Sequence, residues 1–114
     1  MALNFTFVQT ENKQFIYVLH LVPKYLDTKI WTDTENKAVN DHFERLKKMT
    51  AEGIVLLAGK TENWDEKMFG IVIFHAESFE KAKEIAENDP AVKAGVMTVE
   101  TYPYKMALIQ ERFK

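Results

Sequence analysis

The chain contains no cysteine among its 114 residues, and this absence removes several chemistries together. Without thiols there is no disulfide, no thiolate ligand for zinc and no cysteine nucleophile. The 4 glycines form no phosphate-binding loop, dinucleotide fingerprint or nucleophile elbow. Because a cysteine-free chain fits a reducing compartment, we expect a cytoplasmic protein.

Long apolar runs and an excess of one charge sign are missing as well. No run reaches the roughly 20 residues that span a bilayer, and the start, MALNFTFVQTENK, lacks the pattern of a signal peptide. The net charge is −2, whereas phosphate binding needs a concentrated basic patch. We therefore expect no membrane and no nucleic acid among the partners. The length of 114 residues predicts one domain, residues 1–114.

Four apolar segments have the composition of β-strands. Aromatic and branched residues dominate them, and turn residues bound them. Pro103 is expected to end the fourth segment, and residues 105–110 are a candidate for one more short strand. The predicted strands are FIYVLHLV (15–22), IVLLAG (54–59), FGIVIFHA (69–76) and VMTVETY (96–102).

Two helices are predicted between these strands. The first begins near Thr34 and ends at Gly53, which suits a left-handed stop. The second has Ser78 as its N-cap and ends at Pro90. The charged run ERLKK in the first helix is expected to be a solvated face. The apolar stripe of the first helix comprises Ala38, Val39, His42, Phe43, Leu46 and Met49.

The resulting order, β-α-β-β-α-β, predicts an α+β protein of the ferredoxin-like class, with an antiparallel sheet and both helices on one face. The strands are apolar on both faces, so the face without helices needs a cover. We expect a second copy, hence a homodimer or a higher oligomer. Residues 4–8 and 105–110 either add strands or exchange between the two copies.

His42 is the most informative residue, because an ionisable ring on a core-facing stripe is either hydrogen-bonded or used in chemistry. The alternatives are a structural histidine and a catalytic one. His20 and His75 lie in strands and favour the structural reading. Metal binding is not expected, since the three histidines have no local ligand spacing.

Asp89 is the predicted carboxylate partner of His42. It precedes Pro90 at a helix end, and in this fold the end of the second helix can approach the first. The alternative is a turn residue, because Asn-Asp-Pro is common turn chemistry. Asp41 is excluded, since adjacent residues on a helix do not face each other.

Further side chains are candidates for substrate binding. Tyr25 and Trp31 lie in the long connection before the first helix, where they either wall a pocket or pack at a subunit contact. Trp64, in the loop 60–68, has the same two readings. Lys60 follows a strand and either attracts an anion or is solvated.

The chain resembles the YCII-related (YciI-like) family, whose fold is the dimeric α+β barrel. The matching segments are FIYVLHLV, DHFERLKKMTAEGIVLLAG, FGIVIF with ESFEKAKEIAENDPAVKAGV, and VETYPYK. They place the domain core at about residues 15–106 and leave residues 1–14 as an N-terminal extension. The Asp-Pro-x-x-x-Ala-Gly segment is the most specific of them.

The resemblance implies an active site made of His42 and Asp89, since these match a histidine and an aspartate proposed to act together in that family. Some relatives act on chlorinated or hydroxylated aromatic compounds. Two features of relatives are absent here. The arginine just before the helix histidine is replaced by Val39-Asn40-Asp41, and Ala-Gly-Pro is replaced by Ala58-Gly59-Lys60. Lys60 or Lys37 is then the candidate anion contact.

Two hypotheses follow for function. In the first, the protein is a small enzyme without cofactor or metal, of the lyase, isomerase or dehydrochlorinase type, acting on a small, aromatic molecule. His42 is then the general acid or base, and Asp89 orients and charge-stabilises its ring. In the second, the protein is a non-catalytic domain for ligand binding or assembly, and His42 is structural.

Overall fold

The computed structural model describes residues 13–113. These residues form a four-stranded antiparallel sheet with the helices packed on one face. The elements in chain order are β1 (Lys13–Leu21), two 3-10 turns (Pro23–Leu26 and Thr28–Ile30), α1 (Asp33–Ala51), β2 (Val55–Lys60), β3 (Gly70–Ala76), α2 (Phe79–Glu87), α3 (Pro90–Lys93), β4 (Met97–Tyr104) and a final 3-10 turn (Glu111–Phe113).

The sheet order is β2-β3-β1-β4, which confirms the predicted α+β class and element order. The hydrophobic core lies between this sheet and the helices. Alternate residues of β1 enter it because side chains alternate between the faces of a strand. The buried cluster comprises Phe15, Tyr17, Leu19, Leu46, Met49, Val55, Val72, Phe74, Ala76, Ala82 and Ala86.

Local capping accounts for where the helices start. Thr32 caps α1, its side chain accepting from the backbone of Thr34, and Glu35 reaches back to the backbone N–H of Thr32 at 2.7 Å. This reciprocal arrangement is a capping box. The helix therefore begins at Asp33, one residue before the predicted start. Ser78 caps α2 as predicted, accepting from Lys81 N at 3.1 Å, and Gly53 adopts φ 82° just after α1.

Pro103 does not end the last strand, contrary to the prediction. It pairs in register with Phe15 inside β4. Because β4 is an edge strand, it tolerates a residue that lacks a donor N–H. Residues 105–110 form no strand, so their prediction as an added strand was wrong, whereas exchange between two copies stays a prediction. Residues 4–8 lie outside the described part of the chain.

Phe43 is also placed differently from the prediction. Its side chain lies outside the core, with 59% of the residue exposed, whereas Ala38, Leu46 and Met49 are buried. The buried stripe of α1 is therefore narrower than the apolar sequence pattern. Among residues 13–113, no helix is both long and apolar enough to cross a membrane.

Candidate active site

His42 projects from the middle of α1 toward the sheet. Its neighbours one turn away on the same face, Ala38 and Leu46, are buried, and the His42 side chain is 13% exposed. The stripe that anchors α1 to the sheet thus carries one ionisable ring into the core boundary. Because the His42 ring is mostly buried, its hydrogen-bond partners determine what the ring can do chemically.

Asp89 lies between α2 and α3 because of the proline that follows it. Pro90 occupies the first turn of α3 and holds Asp89 in an extended conformation, with φ −59° and ψ 130°. The Oδ1 atom of Asp89 then accepts from the backbone N–H of Ala91 at 2.9 Å. This is the turn chemistry expected of Asp-Pro, and it uses only one of the two carboxylate oxygens.

The second oxygen of Asp89 serves two distant residues. Nδ1 of His42 lies 2.7 Å from Oδ2 of Asp89, and the hydroxyl of Tyr17 donates to the same oxygen at 2.9 Å. Tyr17 comes from β1, whose alternation places it on the helix-facing side between Phe15 and Leu19. Three elements of the fold therefore converge on one carboxylate.

Asp89 is fully buried, so the balance between desolvation and hydrogen bonding determines its charge. Burial raises the pKa of this carboxyl, but the hydrogen bond and charge of His42, with the donors of Ala91 and Tyr17, outweigh it and lower the pKa below its ordinary value. Asp89 is therefore ionised at neutral pH. A carboxylate can only accept, so Nδ1 of His42 carries a hydrogen.

The orientation of the His42 ring leaves its other nitrogen available. Within the described residues, Nε2 makes no hydrogen bond, and it is not enclosed as a buried unpaired atom. With the hydrogen on Nδ1, a neutral ring presents the Nε2 lone pair outward. Such a ring can accept a proton, and Asp89 stabilises the imidazolium that forms.

Tyr17 is held as a neutral donor by its surroundings. Burial raises the pKa of its hydroxyl, and the charge and hydrogen bond of Asp89 raise it further. The guanidinium of Arg45 acts in the opposite direction. Tyr17 therefore retains its proton and donates a hydrogen bond to Asp89 throughout the physiological range.

A model of the YCII-related domain matches residues 15–105, which is most of the chain. The chain belongs to the YCII-related family. No curated protein sequence matches it significantly.

Two solved structures resemble this YCII-related chain in fold. One is 5-chloro-2-hydroxyhydroquinone dehydrochlorinase (TftG) from Burkholderia phenoliruptrix AC1100 in complex with 2,5-dihydroxybenzoquinone. It is 24% identical, with a TM-score of 0.53, over 81% of this chain and 93% of that chain. The other is the uncharacterized protein TM1266 from Thermotoga maritima. It is 12% identical, with a TM-score of 0.52, over 83% of this chain and 100% of that chain.

Tyr25 and Trp31 contact each other rather than His42 or Asp89. Their rings are 6.1 Å apart, and Nε1 of Trp31 donates to the carbonyl of Tyr25 at 2.8 Å. The Tyr25 hydroxyl donates to Glu35 at 3.2 Å. Both aromatics join a small cluster that includes Ala38, one turn before His42. Trp64 is half exposed and donates to the carbonyl of Leu26 at 2.9 Å.

Lys60 lies at the end of β2, and its ammonium donates to the carbonyl of Thr61 at 3.3 Å. It lines a shallow depression of about 200 Å³ with Gly59, Thr61, Phe69 and Ile71. A larger depression of about 380 Å³ lies between α1 and α3, with Lys37 and Lys93 on its rim. Neither includes His42 or Asp89, so the hydrogen-bonded pair, and not cavity size, defines this site.

Among residues 13–113, no group of three or more histidine, cysteine, aspartate or glutamate side chains could hold a metal ion.

Two contributors to the site were not foreseen from the sequence. Tyr17 looked like one more apolar strand residue, and Arg45 belonged to a charged run interpreted as solvated. The structure instead half-buries Arg45, whose Nη2 donates to the carbonyl of Ile85 on α2 at 2.9 Å. The sequence signal for Arg45 is its position three residues after His42, which places both on one side of α1.

Proposed function

We propose that this YCII-related protein is a small enzyme without cofactor, in which His42 moves a proton to or from a small aromatic substrate. The observation that carries the proposal is the 2.7 Å contact between Nδ1 of His42 and a fully buried Asp89. A buried aspartate that holds one imidazole nitrogen and leaves the other open is the arrangement of a general base.

The reaction class that fits best is elimination. Nε2 of His42 accepts a proton from a hydroxyl or an activated C–H of the substrate, and a halide leaves with its bonding electrons. The substrate thereby loses HCl with no oxidant or reductant. The dehydrochlorinase of similar fold, which is named for a chlorinated hydroxyhydroquinone, supports this choice of substrate class.

We further propose that Tyr25 and Trp31 form one end of the substrate site. Their cluster reaches Ala38, which lies one turn from His42 on the same helix. Lys60 is proposed as an anion contact at the neighbouring strand end, where its side chain is exposed.

The test is chloride release from 5-chloro-2-hydroxyhydroquinone by the wild type, His42→Gln and His20→Gln. We expect His42→Gln to lower kcat about 10²–10⁴-fold, the usual contribution of a general base. His20→Gln is the matched control, because His20 is exposed on the other face of the sheet, and it should keep wild-type turnover. Wild-type turnover in His42→Gln would refute the proposal. Binding of 2,5-dihydroxybenzoquinone with no turnover by the wild type would favour the non-catalytic ligand-binding function.

A further inference from the structure

Arg45 makes only part of the contacts that a guanidinium can make. Its Nη2 donates to the carbonyl of Ile85, whereas Nη1 is buried and has no hydrogen-bond partner within residues 13–113. Burying an arginine nitrogen without a partner is costly, so a compensating electrostatic role is expected. The positive charge of Arg45 acts on the Tyr17 hydroxyl, whose pKa it lowers against the raising effects of burial and Asp89.

The Tyr17 hydroxyl is therefore hydrogen-bonded to an anion and acted on by a cation. A hydroxyl has one hydrogen to donate and lone pairs to accept with. Asp89 Oδ2 accepts the hydrogen bond from Tyr17 at 2.9 Å, and the charge of Arg45 opposes the rise in the pKa of the hydroxyl that Asp89 causes. Oδ2 is also the oxygen that holds Nδ1 of His42. Hydrogen bonds thus link Tyr17 on β1 through Asp89 to His42 on α1.

We propose that Tyr17 and Arg45 are positioning residues, which hold Asp89 ionised and aimed at Nδ1 of His42. The effect of Tyr17 and Arg45 on turnover rests on the proposed function, whereas their effect on the charge and orientation of Asp89 does not depend on that function. The titratable groups bonded to Asp89 are Tyr17 from β1 and His42 from α1, and the charge of Arg45 acts on the Tyr17 hydroxyl. From α3 it receives only the backbone N–H of Ala91.

The experiment is an NMR titration of the Asp89 side-chain carboxyl carbon in folded protein. We expect its pKa to be low in the wild type and to rise toward its ordinary range in Tyr17→Phe, which removes one donor to the ionised form. Arg45→Met should raise it as well. Arg45→Lys keeps the positive charge but loses the planar guanidinium with its several N–H donors. It should therefore raise the pKa of Asp89 less than Arg45→Met does.

Two control variants match these changes. Tyr25→Phe removes another buried hydroxyl that bonds a carboxylate, Glu35, and Lys48→Met removes an exposed cation from the same helix. Both should leave the Asp89 titration as it is in the wild type. If Tyr17 and Arg45 served only to pack the core, the Asp89 titration would also stay at its wild-type position in Tyr17→Phe and Arg45→Lys.

An unchanged Asp89 titration in Tyr17→Phe would overturn the proposal. If Arg45→Met fails to fold, Tyr17→Phe decides the question alone, because Tyr17→Phe removes a single oxygen atom and keeps the ring. In the chloride-release assay, we expect Tyr17→Phe to lower kcat with little change in KM. A wild type that releases no chloride, together with a shifted Asp89 titration in the variants, would refute the proposed function and leave the positioning of Asp89 established.

Discussion

His42 and Asp89 are 47 residues apart in the chain, yet Nδ1 of the first lies 2.7 Å from Oδ2 of the second. The two oxygens of Asp89 divide their work, since Oδ1 caps α3 and Oδ2 bonds His42 and Tyr17. Asp89 is therefore the turn residue that Asn-Asp-Pro predicts and also a hydrogen-bond partner of His42. The carboxylate of Asp89 thus caps the start of α3 and orients the His42 ring.

Asp89→Asn should lower kcat for chloride release by about 10²–10⁴-fold. An amide carries donors as well as an acceptor, so it no longer dictates which imidazole nitrogen of His42 bears the hydrogen. KM should change little, because Asp89 is fully buried and does not meet the substrate. Asp41→Asn is the control, since Asp41 is the sequence neighbour of His42 and pairs with Lys37 instead. Equal turnover in both variants would contradict a role for the pair.

The lowered pKa of Asp89 also predicts how stability depends on pH. The folded-state pKa of Asp89 lies below its unfolded value, so its ionised form stabilises the fold above the unfolded pKa, which is about 4. That contribution is lost as the pH falls through the folded-state pKa.

We therefore expect the difference in unfolding free energy between the wild type and Asp89→Asn to shrink as the pH falls from about 6 to about 2. Urea denaturation at a series of pH values measures it. Asp41→Asn provides the baseline, because its exposed ion pair with Lys37 contributes little at any pH. A wild-type advantage that stays constant down to the lowest pH would contradict the assigned charge of Asp89.

Much of this site could be predicted from local sequence patterns. The helical stripe singled out His42, and Pro90 singled out Asp89, because each signal spans only a few residues. Tyr17 carried no such signal, and the only signal for Arg45 was its position three residues after His42. The polar role of Tyr17 depends on a residue 72 positions away, and the burial of Arg45 depends on a carbonyl of α2.

The errors in the fold have similar causes. Pro103 is accommodated because β4 lies at the sheet edge, and strand order is not a local property. The helix α3 has four residues, too few for a periodic pattern. Phe43 matched the apolar stripe of α1, but it lies beyond the width of the face that the sheet covers.

The capping box of α1 gives a prediction about stability alone. Thr32 and Glu35 satisfy each other's backbone groups at the helix start, and the hydrogen bonds of Thr32 lower the pKa of Glu35 to about 2. Thr32→Ala should reduce the unfolding free energy by about 1 kcal/mol. Thr34→Ala, two residues into the helix, is the control, because it removes a hydroxyl that caps nothing and should cost less. Equal losses in denaturant unfolding would argue against the cap.

The sheet face opposite the helices has an apolar centre. Ile16 pairs with Ile73 on one side and with Tyr102 on the other, and Leu57 continues the row on β2. Directly paired residues share a face, so these side chains form one continuous apolar row. Tyr102 and Leu57 are 46% and 41% exposed. A face of this kind is typical of an association surface.

We expect this face to be covered by a second copy, giving twice the chain mass in size-exclusion chromatography with light scattering at micromolar concentration. Ile16→Glu should shift the protein toward the monomer, because a dimer would bury the new charge without a partner. Phe43→Glu is the matched control. It replaces an exposed apolar residue of α1, on the opposite side of the molecule, and should leave the mass unchanged. A wild type that remains monomeric at these concentrations would rule the dimer out. Dissociation by Phe43→Glu, with Ile16→Glu still dimeric, would place the association surface on the helices instead of the sheet.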